Sequence, residues 1–134
     1  MIKDIPELKV ENIAIAVVQE KNELEETVWN SYLINLKEEQ IEGVLVTSTG
    51  YGELNEEKVR TSTLRHFLDE VAPKSFVKIE PIIEEVFGIN NEYWLSFYLN
   101  KTMYDKRYVF LAESITEANF TTIPIMNKKG VMII

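Results

Sequence analysis

Apolar and polar residues alternate along most of the chain, in short runs that polar turns separate. Residues 93–99 are typical: Tyr, Leu, Phe and Leu occupy the odd positions, and Trp, Ser and Tyr occupy the even ones. A two-residue period places successive side chains on opposite faces of a β-strand. Similar runs, rich in β-branched or aromatic residues, occupy residues 12–18, 28–36, 41–49, 76–82 and 107–112. The pattern therefore predicts a chain built mainly of strands.

Glycine-containing segments predict two of the turns. Gly50-Tyr51-Gly52 follows the third apolar run, and we expect it to end that strand. Residues 123–126 and 131–134 read as a small hairpin. Gly130 is then expected to take the left-handed conformation in the hairpin turn, because glycine has no Cβ to oppose it.

Residues 53–72 fit two interpretations. A helix over about 55–71 would carry four apolar residues of the segment 64–71 at i, i+3, i+4 and i+7 spacing. The Thr-Ser-Thr run at 61–63 disfavours a helix, because these side chains compete for backbone hydrogen bonds. The following turn also leads straight into the alternating run 76–82. We prefer a strand, which gives an all-β fold; the alternative is α+β, an antiparallel sheet with one helix at about 55–71.

The number and spacing of the runs indicate a sandwich. About seven short strands divided by turn signals are typical of two antiparallel sheets packed face to face. A chain of 134 residues has the size of one domain, so we expect a single β-sandwich domain over residues 1–134.

Four segments carry a family resemblance: Trp29 to Asn35, the Val-rich run Val44 to Gly50, Thr61 to Leu68, and Pro73 to Ile79. Their order resembles small bacterial immunoglobulin-like domains, in which a strand ending in Asn precedes a Val-rich strand and a Pro/Ser turn precedes an alternating strand. The resemblance covers the middle part of the chain. It implies an immunoglobulin-like sandwich that binds or packs, and it implies no reaction. An antibody-type domain is not implied, because no cysteine pair accompanies Trp29.

The charge balance narrows the range of partners. The chain has 22 acidic and 14 basic residues, which gives a net charge of −8. The average field therefore repels nucleic acid phosphates and anionic membrane surfaces. We expect neither nucleic acid nor a membrane as a partner.

Composition and motifs also limit the chemistry. The chain has no cysteine, which excludes disulfides and zinc–thiolate sites. Its single histidine is His66. Phosphate-loop, EF-hand and nucleophilic-serine motifs do not occur, so we predict no metal, no cofactor and no catalytic residue. The N-terminal residues lack the apolar core of a signal peptide, and no apolar run is long enough to span a bilayer. We therefore expect a cytoplasmic protein.

Three residues form a candidate ligand site. Arg65 has the geometry to bind a carboxylate or phosphate, and His66 would act as an acid or base if Asp69 or Glu70 oriented it. Tyr51, between two glycines, would close over the ligand. The plainer interpretations are an ion pair for Arg65, a packed or surface position for His66 and a turn for Tyr51. The binding hypothesis requires Arg65, His66 and Tyr51 to converge in one pocket.

Two features are candidates for an interface. Trp94 and Tyr98 share the even face of the most aromatic strand, and that face is expected to be an interface if the odd face is core. The second feature is an apolar run that either completes the domain's own sheet or pairs with another chain by strand addition. It comprises Val131, Met132, Ile133 and Ile134.

These observations give two functional hypotheses. The first is a non-enzymatic protein-interaction or assembly module that binds a protein partner or associates with itself. The alternative is a small-molecule-binding or enzymatic domain with a pocket around Arg65, His66 and Tyr51. Because the catalytic motifs are missing, the sequence favours the first hypothesis.

Overall fold

The computed structural model describes residues 8–134, which form ten strands in two antiparallel sheets that pack face to face. The strands are β1 (Ile13–Lys21), β2 (Thr27–Asn35), β3 (Ile41–Leu54), β4 (Glu57–Arg60), β5 (Leu64–Val71), β6 (Ser75–Ile82), β7 (Asn90–Leu99), β8 (Thr102–Phe110), β9 (Thr121–Ile123) and β10 (Lys128–Ile133). Two short 3-10 helices, Glu84–Gly88 and Glu117–Asn119, connect them. The predicted all-β sandwich is confirmed, with ten strands instead of about seven.

The first sheet has the strand order β6-β2-β1-β10-β9. β1 lies in its middle and pairs with β2 along its whole length, from Ile13 opposite Asn35 to Lys21 opposite Thr27. The continuous apolar run of β1 buries both of its faces: odd positions enter the core between the sheets, and Ala14, Ala16 and Val18 are buried on the outer side.

The second sheet is organised by β3, its longest strand. One edge of β3 pairs with β7, which in turn pairs with β8. The other edge pairs first with β5 and then with β4. The predicted turn at Gly50-Tyr51-Gly52 is wrong, because β3 continues through these residues between β4 and β7. The chain reverses at Asn55 and Glu56, whose positive φ angles of 52° and 67° suit a two-residue hairpin turn.

Residues 61–63 link β4 to β5 and explain why this segment is not a helix. The Thr61 N–H donates to the Gly50 carbonyl at 2.8 Å, and the Gly50 N–H donates to Thr61 Oγ1 at 2.8 Å. The threonine hydroxyl thus binds the backbone of the neighbouring strand. The strand interpretation of residues 53–72 is confirmed, and the α+β alternative with a helix at about 55–71 is wrong.

The core between the sheets is dominated by aromatic residues of β7 and β8. Its largest fully buried side chains are Tyr93, Phe97, Tyr108 and Phe110. Trp29 closes one end, where its ring packs edge-to-face against Phe87 and Phe120 with centroid distances of 5.0 and 5.8 Å. The Trp29 Nε1–H donates to Glu84 Oε1 at 2.8 Å, so this buried indole is satisfied.

The apolar run 131–134 completes the domain's own sheet. Gly130 to Ile133 pair with Val18 to Ile15 of β1, and β9 pairs with β10 at Lys128–Gly130. Of the two alternatives for this run, the structure shows self-docking. The left-handed conformation predicted for Gly130 is wrong, since Gly130 lies within the paired strand and the positive φ angles of this hairpin belong to Ile125 and Asn127.

No helix within residues 8–134 has the length and apolar character needed to cross a membrane.

Candidate functional site

The predicted ligand site does not assemble. Arg65 and His66 are consecutive in β5, so their side chains leave opposite faces: Arg65 lies opposite Thr47 on the outer face of the second sheet, and His66 points inward. Tyr51 lies further along β3, where its hydroxyl is 3.4 Å from Glu92 Oε1. The convergence of Arg65, His66 and Tyr51 in one pocket is therefore wrong, because strand alternation separates the first two.

His66 instead belongs to a polar group between the two sheets, which we call the Glu80 cluster. His66 Nε2 lies 2.6 Å from Glu80 Oε1, and Ser48 Oγ donates to the same oxygen at 2.7 Å. The Tyr93 hydroxyl donates to Glu80 Oε2 at 3.3 Å. The Glu80 side chain is only 13% exposed. The orienting carboxylate for His66 is thus Glu80 of β6, and not Asp69 or Glu70 as the sequence hypothesis supposed.

A β-bulge in β6 directs Glu80 inward. Glu80 pairs with Ser31 and Lys78 pairs with Tyr32, which leaves Ile79 as the extra residue between them. Ile79 is buried in the core, and its neighbour Glu80 also turns toward the second sheet. Sequence reasoning missed Glu80 because a strictly alternating strand would not place two consecutive side chains on one side.

The geometry of the Glu80 cluster suits cross-linking of the sheets better than nucleophilic catalysis. The Ser48 hydroxyl donates to the Glu80 carboxylate, so it is not bonded to the His66 ring as a serine activated by histidine would be. Burial, reinforced by the nearby charge of Glu80, raises the pKa of Tyr93, which keeps this phenol protonated as a hydrogen-bond donor. The four side chains join β6 of the first sheet to β3, β5 and β7 of the second.

A cleft of about 420 Å³ opens beside this cluster. Hydroxyl-bearing residues, among them Ser48, Thr61 and Ser62, line one part of it, and apolar residues such as Ile83 and Val86 line another. Glu80 contributes to the wall. The cleft therefore offers a carboxylate and hydroxyls next to an apolar surface.

A group of exposed apolar side chains lies on the outer side of the second sheet. Four large side chains there are exposed: Phe67 by 67%, Trp94 by 43%, Tyr98 by 47% and Met103 by 51%. They share a face because each occupies an outward position of β5, β7 or β8, while their sequence neighbours enter the core. We call this surface, with the outward residues Leu45 and Thr47 of β3 and Ser96 of β7, the aromatic face.

The aromatic face also carries arginine. The chain has three arginines, and all three lie at outward positions of the second sheet: Arg60 opposite Tyr51, Arg65 opposite Thr47, and Arg107 opposite Trp94. Arg107 Nε lies 3.2 Å from Glu92 Oε1. The predicted interface residues Trp94 and Tyr98 are thus two members of a larger surface, and β8 supplies Met103 and Arg107, which the sequence analysis did not single out.

A second largely buried carboxylate, that of Glu20, lies on the outer side of the first sheet, where its side chain is 12% exposed. Asn30 Nδ2 and the Tyr32 hydroxyl donate to Glu20 Oε1 at 2.9 and 2.5 Å, and the Lys128 ammonium bonds Oε2. Burial alone would raise the pKa of Glu20, but the hydrogen bonds from Lys128, Tyr32 and Asn30 outweigh it and hold the pKa below its ordinary value. Each of these three groups bonds Glu20, so this carboxylate ties β1, β2 and β10 together.

Within the part of the chain that the structure describes, no three histidine, aspartate or glutamate side chains converge as a metal site would require. The sequence matches no known family model, and the search of curated proteins found no significant similarity.

Proposed function

We propose that this protein is a non-enzymatic interaction module that binds a protein surface through its aromatic face. The observation that carries the proposal is the exposure of Phe67, Trp94, Tyr98 and Met103 on one side of one sheet. Aromatic residues, methionine and arginine are the residue types enriched in protein interfaces. Burying these side chains against a partner removes apolar area from water, which favours association.

The location of the face on a paired sheet also supports binding. β3 and β7 are held on both edges by neighbouring strands, so the backbone beneath Thr47 and Trp94 is fixed before a partner arrives. A rigid surface loses little conformational entropy on association. Such a face suits recognition of another folded surface.

The proposal also includes a fold family and a cellular location. We propose an immunoglobulin-like sandwich, which the two packed antiparallel sheets support. We also propose a cytoplasmic location, which the absence of cysteine supports, since a chain without disulfides is compatible with a reducing compartment.

The test is site-specific photo-crosslinking in the cell of origin. A benzophenone amino acid replaces Met103, which lies on the aromatic face, and in a control protein it replaces Leu24, which is 78% exposed in the β1–β2 turn. We expect one discrete crosslinked species from position 103 and none from position 24. Equal crosslinking at both positions, or none at 103, would contradict the proposal.

Small-molecule binding is a second candidate function, favoured by the cleft beside Glu80. Its carboxylate, hydroxyls and apolar wall suit a small ligand that carries an amine or several hydroxyl groups. Native mass spectrometry of the purified protein should then show a stoichiometric added mass. Replacing Ser62 with tryptophan, which fills the cleft, should abolish the adduct, whereas an adduct that persists would place the ligand elsewhere.

A further inference from the structure

Two parallel rows of side chains cross the aromatic face perpendicular to the strands. The strand register places Arg65, Thr47, Trp94 and Arg107 side by side in the first row. It places Phe67, Leu45, Ser96 and Asp105 in the second row. Each strand therefore contributes one residue to each row, two positions apart in sequence.

We infer that the partner of the aromatic face is a second copy of this chain, stacked face to face about a two-fold axis midway between these rows and perpendicular to the strands. This inference rests on the proposed function, because it names the occupant of the same surface. Rotation about this axis would place each strand over the same strand of the second copy, running in the opposite direction. The first row of one copy would then face the second row of the other. Aligned packing of two sheets is a standard arrangement.

The two rows are complementary in charge. The axis sets Arg107 of one copy opposite Asp105 of the other, and symmetry repeats this ion pair. It also sets Arg65 opposite Phe67, where a guanidinium packs favourably on an aromatic face. Arg107 retains donors for this contact although it already bonds Glu92, because a guanidinium has five N–H groups.

The two rows are also complementary in size. The bulky Trp94 would lie opposite the small Ser96, and Leu45 opposite Thr47. One row further out on each side, Met103 would lie opposite Val109, and Tyr98 opposite the carboxylate of Glu92. No pair in this arrangement joins like charges.

Other occupants and other symmetries fit less well. An axis parallel to the strands would place Arg65 over Arg107 of the second copy, which is repulsive. The charges of Arg60, Arg65 and Arg107 are balanced on this face by Glu42, Glu92 and Asp105, so the surface is locally neutral in a chain of net charge −8. Local neutrality favours a second copy over an anionic strand of nucleic acid, which needs a basic surface.

The test is a charge-swap experiment followed by native mass spectrometry and light scattering over a range of concentrations. The wild-type protein should form a dimer at about 100 µM. Asp105→Arg and Arg107→Asp should each weaken dimerisation by about tenfold or more, because each places like charges opposite each other twice. The double variant carrying both substitutions should dimerise again. Glu23→Arg, in the exposed β1–β2 turn, serves as the control for charge and should dimerise as the wild type does.

Mixing the two single variants separates this interface from any other. Asp105→Arg and Arg107→Asp protomers are complementary to each other, so the mixture should yield a heterodimer that neither variant forms alone. Dimers that ignore the charge swaps would place the contact on another surface and overturn the inference. A monomeric wild type would overturn the inference as well. In that case, a discrete crosslink from position 103 to a different protein would leave the proposed function standing. A crosslink to single-stranded nucleic acid would overturn both the inference and the proposed function.

Discussion

Gly130 lets the backbones of β10 and β1 approach more closely than any larger residue would allow. A Cβ at this position would collide with the carbonyl oxygen of Val17 and would lie 3.0 Å from the Cα of Val18. Both atoms belong to the backbone of a central strand, so neither can move aside cheaply. Gly130→Ala is therefore expected to lower the free energy of unfolding by about 2 kcal/mol, as overpacking does, measured by urea denaturation.

Gly88→Ala is the matched control for this substitution. A Cβ at Gly88 would meet only the end of the Leu54 side chain, at 3.1 Å, and that side chain can rotate. We expect a change of less than about 0.5 kcal/mol. Equal losses from Gly130→Ala and Gly88→Ala would show that contact with the β1 backbone is not what makes position 130 sensitive.

Single residues were predicted well where strand alternation holds and poorly where it breaks. Trp94 and Tyr98 were placed on the exposed face from the period of β7 alone, because their neighbours Tyr93 and Phe97 are buried in a regular strand. Glu80 was missed because the bulge at Ile79 shifts the register of β6. Whether a bulge forms depends on the partner strand, so residues 76–82 do not reveal it by themselves.

Glu20 of β1 stabilises the first sheet, because its carboxylate accepts hydrogen bonds from both neighbouring strands, β2 and β10. Tyr32 and Asn30 reach it from β2, and Lys128 reaches it from β10. Glu20→Gln should lower the free energy of unfolding by about 1 kcal/mol at pH 7, because it weakens charge-assisted hydrogen bonds. Urea denaturation at a series of pH values measures the difference between the variant and the wild type.

The effect of this substitution should depend on pH in one direction. The pKa of Glu20 is lower in the folded state than in the unfolded chain. The contribution of its carboxylate to stability is therefore fully present at pH values above the pKa that it has in the unfolded chain. The contribution is lost as the pH falls through the folded-state value, and the wild-type and Glu20→Gln curves should then converge. Glu23→Gln, in the exposed β1–β2 turn, serves as the control and should show no such convergence. If Glu20→Gln lowered the free energy of unfolding equally at every pH, the charge of Glu20 would not be involved.

Elements were predicted best where composition and period agree. The strand at residues 93–99 has a two-residue period and aromatic side chains, and β7 contains it entirely. Gly50-Tyr51-Gly52 was assigned to a turn from its glycines, yet β3 continues there because β4 and β7 pair with it on both edges. Local composition signals a turn, but pairing with distant strands decides where β3 ends.

At the scale of the whole molecule, Asn35 connects the two sheets at the end where β2 and β5 finish. Its fully buried amide donates toward the carbonyls of Glu39, Val71 and Ala72 at 2.9, 3.2 and 3.0 Å. Its Oδ1 accepts the Lys37 N–H at 3.0 Å. Asn35→Ala should cost about 2 kcal/mol of unfolding free energy, because these backbone groups lose a partner away from water.

Asn22→Ala provides the comparison for Asn35. The Asn22 side chain also bonds backbone groups, the N–H groups of Leu24 and Glu26, but it lies in an exposed turn where water can replace it. Its loss is expected to be below about 1 kcal/mol. If differential scanning calorimetry gave the same loss for both variants, the burial of Asn35 would not account for its role.

The pairing of β1 with β10 joins the earliest and the latest strands of the described chain. During synthesis, the edge of β1 that receives Gly130–Ile133 stays unpaired until residues 130–133 have left the ribosome. A nascent chain stalled before residue 130 therefore carries an unpaired, strongly apolar strand edge in the middle of its first sheet. Such an edge is a template for pairing with a neighbouring nascent chain. For this protein, the time that passes between the synthesis of β1 and that of β10 becomes a determinant of whether folding or aggregation prevails.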